Sequence, residues 1–256
     1  MASIPKMSER ARFLERIESD AGSVQVDERL VAICDPMSAA AEQYRMLLHK
    51  LRHTRSLRGD AITGGAVIAV TSSVRGEGTS ITAANLALTA ARSRDARVAL
   101  VDCDLRRGTT AQLFGMGARS GLSEVLAGKA DITDALGRFH EGSMAIIPAG
   151  KPVNESAALL ASVKFSQTIQ LLKSLFDEIY LDVPPALATA DASVVAHKCD
   201  GVVLVVRAEV TPREQVAAST RMLAGAPVWG MVLNGVEPSR VPAPLPVVRG
   251  QLGSGK

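Results

Sequence analysis

A glycine-rich stretch, TSSVRGEGTSIT at residues 71–82, has the spacing of a phosphate-binding loop between a strand and a helix. In such loops the glycines let backbone N–H groups face a phosphate, and the helix N-terminus adds partial positive charge. The loop normally ends in Gly-Lys-Ser/Thr, where the lysine reaches the phosphates and the hydroxyl reaches Mg²⁺. Here Gly78 and Ser80 are present, but Thr79 occupies the lysine position. The backbone donors do not depend on residue 79, so the loss removes a charge and leaves the cradle.

Three aspartates follow apolar runs that read as strands. Asp102 ends RVALVDC, Asp104 comes two residues later, and Asp182 ends EIYLDV. Ligands of open α/β sheets bind at the carboxyl edge of the strands, and P-loop proteins hold Mg²⁺ there through a hydroxyl and carboxylates. One strand-end aspartate is commonly a helix cap, and a glycine-rich loop alone fits a turn without ligand equally well. Three such aspartates beside one loop favour a nucleotide site.

The elements that must position these residues alternate along the chain. Near-continuous apolar runs are typical of parallel strands that are buried on both faces. Six of them are predicted as strands, at 66–73, 97–103, 144–149, 178–183, 201–206 and 228–234. Helices are predicted at 38–53, 80–93, 120–127, 162–175 and 212–223. This order predicts a P-loop NTPase-like, three-layer α/β/α fold with a mainly parallel central sheet.

The two ends of the chain differ from this central part. Residues 1–35 are predicted to form an N-terminal arm that ends in a short strand, RLVAIC at 29–34. Residues 36–236 are predicted to form the P-loop domain. Residues 237–256 are rich in Pro and Gly, which predicts a flexible tail.

Composition excludes several classes of protein. The 29 basic and 26 acidic residues are nearly balanced and form no long run, and aromatics make up only 3%, so no nucleic-acid partner is expected. Three distant cysteines without a C-x-x-C motif argue against a disulfide framework or a zinc site. No apolar stretch approaches 18 residues, and the N-terminus is too polar for a signal peptide. A cytoplasmic location is therefore expected, with any membrane role through a partner.

From about Asp35 to Val236 the sequence resembles the bacterial tyrosine kinases, the ATPases of capsule and exopolysaccharide co-polymerases, which are relatives of the deviant-Walker partition and division-site ATPases. The DLRR and VPPAL-ATADA segments favour the kinase branch over the partition proteins. The segments that carry the resemblance are PMSAAAEQYR (36–45), SSVRGEGTS (72–80), AANLAL (83–88), VDCDLRR (101–107), GLSEVLAG (121–128), IIPAGKPVNESAALLAS (146–162), FDEIYLDVPPALATADA (176–192), DGVVLVVRAEVT (200–211) and GMVLNGV (230–236).

The resemblance implies roles for individual residues. Asp102 and Asp104 would activate the acceptor hydroxyl and organise the metal, and Asp182 would be the third acidic catalytic residue. Mg²⁺ would be held by Ser80, Asp102 and Asp182. The nucleotide, ATP or ADP, would be bound by Arg75, Gly76, Glu77, Gly78, Thr79, Ser80, Ile81 and, near the adenine, Asn234.

The chain departs from the family pattern in the loop and in the tail. The family lysine is Thr79, the proline before the loop glycines is Arg75, and the tyrosine-rich tail is absent, since the chain has only Tyr44 and Tyr180. Loss of one preorganised donor typically slows catalysis by about 10²–10³. The Arg75 fork could engage phosphate oxygens instead, or it could be solvated or paired with Glu77.

The resemblance, together with the missing lysine and tail tyrosines, leads to the expected function. The chain is expected to be a component of exopolysaccharide or capsule biosynthesis, with weak or no kinase activity, that regulates an integral-membrane co-polymerase of the chain-length regulator type. The alternatives are an active kinase or ATPase rescued by Arg75 and a partition-type positioning ATPase. The family interface helix repeats E-x-x-R-x-x-R, whereas here Leu48 follows Glu42 and Arg45, and a homo-oligomer through this helix is possible.

Overall fold

The computed structural model describes residues 25–58, 64–92, 96–117, 119–139, 144–237 and 240. The strands of these residues are β1 (Ala66–Ser72), β2 (Val98–Asp102), β3 (Gly137–Phe139), β4 (Met144–Ile147), β5 (Glu178–Asp182), β6 (Gly201–Arg207) and β7 (Val228–Asn234). They form one sheet in the order β3-β4-β2-β5-β1-β6-β7, in which only β3 runs antiparallel to its neighbour. The predicted mainly parallel α/β fold is confirmed.

Helices cover both faces of this sheet. They are α1 (Val31–Cys34), α2 (Ala39–Leu57), α3 (Thr79–Ala91), α4 (Thr110–Leu113), α5 (Leu122–Leu126), α6 (Ile132–Ala135), α7 (Ser156–Ala161), α8 (Val163–Leu175), α9 (Asp191–Ala196) and α10 (Arg213–Met222). Within the described ranges, none of them combines the length and the apolarity needed to cross a membrane.

Two apolar cores form because successive strand side chains point to opposite faces of the sheet. In β1, Val67 and Ala69 pack into the core beneath α5, α7, α8 and α9, whereas Ile68 and Val70 pack against α1, α2 and α3. All seven residues of β1 are buried. This two-sided burial explains why the strand reads as an unbroken apolar run rather than an alternating one.

The sheet topology places the glycine-rich loop at the centre of the molecule. β1 lies between β5 and β6, and the loop leads from its carboxyl end into α3. Val70 is in register with Asp182 on β5, which in turn is in register with Asp102 on β2. The two strand-end aspartates are therefore neighbours beside the loop, as the parallel arrangement predicts.

The predicted strand RLVAIC at 29–34 is wrong, because Val31–Cys34 form a helical turn. A short apolar run does not distinguish a strand from a buried helical segment. Here the Ala32 N–H is bound by the Asn85 side chain at 3.0 Å, and Leu30 is fully buried against α3, so a turn satisfies both the backbone and the apolar surface. Residues 1–24 and 241–256 lie outside the described ranges, and the proposed domain boundaries stay predictions.

Helix α2 forms where the sequence predicts it. Its Ser38 cap accepts a hydrogen bond from the Ala41 N–H at 3.1 Å, and Leu48 and Leu51 are buried against the second core. On the outer face Arg45 pairs with Glu42 of the same helix. Strand β3 was not predicted, because three residues are too few to show a periodicity.

Replacement of Gly65 by alanine should destabilise the protein. A Cβ at this position would lie 2.0 Å from the carbonyl oxygen of Phe176, a backbone atom that cannot move independently. We expect Gly65→Ala to lower the free energy of unfolding by about 1–3 kcal/mol, measured by urea denaturation. Gly230→Ala is the control, because a Cβ on Gly230 has no neighbour within 4 Å. Equal stability of the two variants would contradict this packing.

Candidate functional site

The glycine-rich loop turns into α3 at Gly78, which has a φ of 91° in the left-handed region. A Cβ at this position would lie 2.1 Å from Nδ2 of Asn234, so both the backbone conformation and the space require glycine. No side chain caps the helix, and its first intrahelical bond runs from the Thr82 N–H to the Gly78 carbonyl. The N–H groups of Thr79, Ser80 and Ile81 are therefore free to bind an anion.

The loop is held from below by the buried carboxylate of Glu77. Its oxygens accept hydrogen bonds from the Val74 N–H at 2.8 Å, the Arg207 N–H at 3.2 Å and the Thr211 hydroxyl. The Asn234 amide donates to the Glu77 carbonyl at 2.8 Å. Glu77 and Asn234 thus fix the loop to the ends of β6 and β7, and neither lines the cavity described below.

Asp102 is fully buried and holds the segment that follows β2. It accepts hydrogen bonds from the N–H groups of Asp104 and Thr110, both at 3.0 Å. Desolvation raises its pKa to about 6, although these two N–H donors favour the ionised form. Asp102 therefore positions Asp104 from beneath, and it changes charge near neutral pH.

Asp182 lies at the cavity wall with a carboxylate oxygen to spare. Burial raises its pKa well above the usual range, and the negative charge of Asp102 raises it further, while the nearby Ser80 hydroxyl favours ionisation. Oδ2 is buried without a hydrogen-bond partner among the described residues. The Ser80 hydroxyl in turn accepts a hydrogen bond from the Thr109 hydroxyl at 3.0 Å. A hydroxyl beside a partnerless carboxylate oxygen fits a Mg²⁺ ion with its bound waters.

Protein side chains alone do not make a metal cage here. Within the described ranges, no group of three or more His, Cys, Asp or Glu side chains is arranged to hold a metal ion. Mg²⁺ characteristically keeps several waters and takes its other ligands from one or two protein oxygens and the phosphates. Ser80 and Asp182 can fill that role, and the buried Asp102 is in register with Asp182 on the adjacent strand.

A cavity of about 400 Å³ opens in front of the loop. Eight of the eleven predicted site residues line it. They are Arg75, Gly76, Gly78, Thr79, Ser80, Ile81, Asp104 and Asp182. The other three, Glu77, Asn234 and Asp102, lie behind it and support the residues that do.

Sequence reasoning missed part of the cavity wall. Arg29, Thr109 and Leu113 line it together with Arg107 and the 183–185 segment after β5. Two sequence features pointed to parts of this wall: the Pro184-Pro185 pair shortly after Asp182, and the Arg106-Arg107 pair shortly after Asp104. Arg29 carried no signal, because it is distant in sequence from every motif and was assigned to a strand.

Arg75 is exposed and lines the cavity, and it does not pair with Glu77, which was one of the alternatives from the sequence. Because the Glu77 carboxylate is engaged by three other donors, no ion pair among the described residues joins it to Arg75. Arg106, in contrast, does not line this cavity, and its Nε donates to the Ser156 hydroxyl at 2.9 Å beside the buried Asp191. Arg75 is therefore available to an anion, and Arg106 braces the segment after Asp104.

Known protein families and relatives match this chain in sequence. The AAA domain family matches residues 65–221, more than half of the chain. The tyrosine-protein kinase CpsD of Streptococcus agalactiae serotype III is 32% identical over 68% of this chain and 75% of its own length. The tyrosine-protein kinase YwqD of Bacillus subtilis is 29% identical over 84% and 90%, respectively.

The same relationship appears in three dimensions. The kinase domain of the Escherichia coli tyrosine kinase ETK superimposes with a TM-score of 0.77, at 28% identity, over 85% of this chain and 84% of that domain. The sequence matches, the central loop and the strand-end aspartates all lead to one assignment. The chain belongs to the AAA domain family of P-loop proteins, in the branch of the bacterial tyrosine kinases.

Proposed function

We propose that the chain is a Mg²⁺-nucleotide-binding component of capsule or exopolysaccharide biosynthesis whose phosphoryl transfer is weak. The observation that supports this proposal is the cavity lining: Gly78, Ser80 and Asp182 line one cavity, and Thr79 brings no positive charge to it. ATP or ADP is the expected ligand.

Binding and catalysis depend differently on the missing lysine. The free N–H groups at the start of α3 attract phosphate whatever residue 79 is. Phosphoryl transfer, in contrast, relies on charges placed around the transferring group. The geometry therefore supports nucleotide binding more strongly than turnover.

Each residue has a role in this proposal. The N–H groups of residues 79–81 face the phosphates, and Ser80 and Asp182 hold Mg²⁺, which neutralises phosphate charge. Asp104, at the cavity wall, is placed to accept the proton of an incoming hydroxyl, and Asp102 keeps it there. Asn234 supports the loop through its hydrogen bond to the Glu77 carbonyl, and its place near the adenine stays a prediction.

The biological setting follows from the family resemblance. We place the chain in the cytoplasm, at the inner face of the membrane through a separate co-polymerase of the chain-length regulator type. The nucleotide state itself would be the signal to the partner, and contacts between copies through the helix around Glu42 and Arg45 are a further proposal.

A second candidate function is an active kinase or ATPase in which Arg75 replaces the lysine. It is favoured by the position of Arg75 at the cavity wall and by the engagement of Glu77 elsewhere. A guanidinium fork can hold two phosphate oxygens at once. The two candidates predict opposite results for one pair of variants.

Thr79→Lys should increase activity, because it returns a cation to an otherwise intact cradle. We expect tighter Mg²⁺-ATP binding and a rise in ATP hydrolysis or phosphoryl transfer of up to about 10²–10³, measured by calorimetry and phosphate release. Arg75→Ala is expected to change little. A wild-type turnover that disappears in Arg75→Ala and is not raised by Thr79→Lys would instead establish the second candidate.

Neither tyrosine of the chain should become phosphorylated. Tyr180 is fully buried, its hydroxyl donates to Glu178 at 2.7 Å, and Tyr44 is half-buried against α3. We expect incubation with Mg²⁺-ATP to leave both unmodified, as determined by mass spectrometry. A tyrosine-containing peptide in the same reaction controls for activity toward other substrates. Strong labelling of Tyr44 or Tyr180 would contradict weak phosphoryl transfer.

The Mg²⁺ dependence of ATP binding should increase with pH. The raised pKa of Asp102, about 6, means that the folded protein retains its proton below this value and loses it above. Ionised carboxylates favour the cation, so the gain in affinity from Mg²⁺ over EDTA should grow as the pH rises through about 6. Asp102→Asn is the control, because ATP ionises equally with both proteins. The same pH dependence in both would exclude Asp102 as its source.

A further inference from the structure

The segment that precedes α1 forms part of the cavity wall. Arg29 lines the cavity together with the glycine-rich loop, although it lies more than forty residues upstream of it. It is one of three arginines there, with Arg75 and Arg107, whereas the acidic residues at the wall are Asp104 and Asp182. The balance of charge favours an anion.

This segment is fixed to the body of the domain on both sides of Arg29. The Asn85 side chain of α3 donates to the Arg29 carbonyl and accepts from the Ala32 N–H, each at 3.0 Å. Leu30 is fully buried in the second core, and the Asp27 N–H donates to the Leu113 carbonyl at 2.9 Å. Arg29 is therefore presented by an anchored backbone, and its side chain has little of the conformational freedom of a tail residue.

Asp27 orients the Arg29 guanidinium but binds only some of its N–H donors. Its Nε and Nη2 donate to the Asp27 carboxylate at 2.8 and 2.7 Å, and this pairing lowers the pKa of Asp27 to about 2. A guanidinium has five N–H donors, so the Nη1 side keeps its donors for another acceptor. The side chain is also 64% exposed, which leaves room for a ligand to approach it.

We propose that Arg29 binds the phosphates of the nucleotide and supplies part of the positive charge that Thr79 does not. This inference rests on the proposed nucleotide site and adds to it a residue outside every P-loop motif. Asp27 opposes the phosphates electrostatically while it orients the guanidinium. The strength of anion binding is thus set by the Asp27–Arg29 pair as well as by the loop.

The test compares ATP affinity in the full chain, with Mg²⁺ and with EDTA, by calorimetry or a fluorescent ATP analogue. Arg29→Ala should weaken binding about five- to tenfold, and Arg29→Lys should recover part of the loss. Asp27→Asn should tighten binding about two- to fivefold, and it should have no such effect when Arg29 is already alanine. The salt dependence of binding should become shallower in Arg29→Ala.

The matched control is Arg97→Ala. Arg97 forms the same kind of pair with Asp177, through Nε at 3.1 Å and Nη2 at 2.8 Å, but it precedes β2 at the amino edge of the sheet, opposite the cavity. Urea denaturation verifies that each variant is folded. If Arg29→Ala binds ATP as tightly as Arg97→Ala, the role of Arg29 is overturned while the nucleotide site stands. If neither wild type nor Thr79→Lys binds ATP, both proposals are overturned.

Discussion

The site depends first on one buried carboxylate. Glu77 is only 2% exposed, and a buried polar group is tolerable only if hydrogen-bond partners surround it. Its partners are the Val74 N–H in the loop, the Arg207 N–H at the end of β6 and the Thr211 hydroxyl in the segment after β6. The loop therefore has its shape before any ligand arrives. That shape leaves the N–H groups at the start of α3 facing the cavity.

This arrangement explains why the shape of the glycine-rich loop does not depend on residue 79. Thr79 takes part in none of the hydrogen bonds that hold the described part of the loop, which run through Glu77 and Asn234. The second requirement of the site is the proximity of Asp102 and Asp182, which are in register on adjacent strands. Their mutual repulsion adds to the desolvation that raises the pKa of Asp182. A cation beside them would relieve this repulsion, so the two aspartates suit a site that holds a cation.

Much of the fold and part of the site could be predicted from sequence, for a physical reason. Strands buried on both faces have unmistakable apolar runs, and parallel strands must bring their carboxyl ends together, so Asp102, Asp182 and the loop had to meet. Glu77 and Asn234 were assigned to the nucleotide because they stand in family motifs. Their roles beneath the loop depend on which way each side chain points, and spacing does not carry that information.

The positions that sequence reasoning missed depend on tertiary contacts alone. The run RLVAIC has the composition of a strand, but Asn85, 53 residues away from Ala32, supplies the hydrogen bonds that favour a turn. No local pattern reveals such a partner. The wrong strand assignment also gave no reason to consider Arg29, which lines the same cavity as the glycine-rich loop.

The element that carries the positive charge decides which parts of the structure a bound phosphate would connect. A lysine in the loop belongs to the first turn of α3 and moves only with it. A charge on Arg29 belongs to a separate segment that is joined to α3 through Asn85 and to the end of α4 through Leu113. A phosphate bound by Arg29 would therefore connect the loop to the segment around α1, and nucleotide binding would stabilise that segment against local opening. This connection would link the nucleotide to the segment around α1 without transfer of its phosphate.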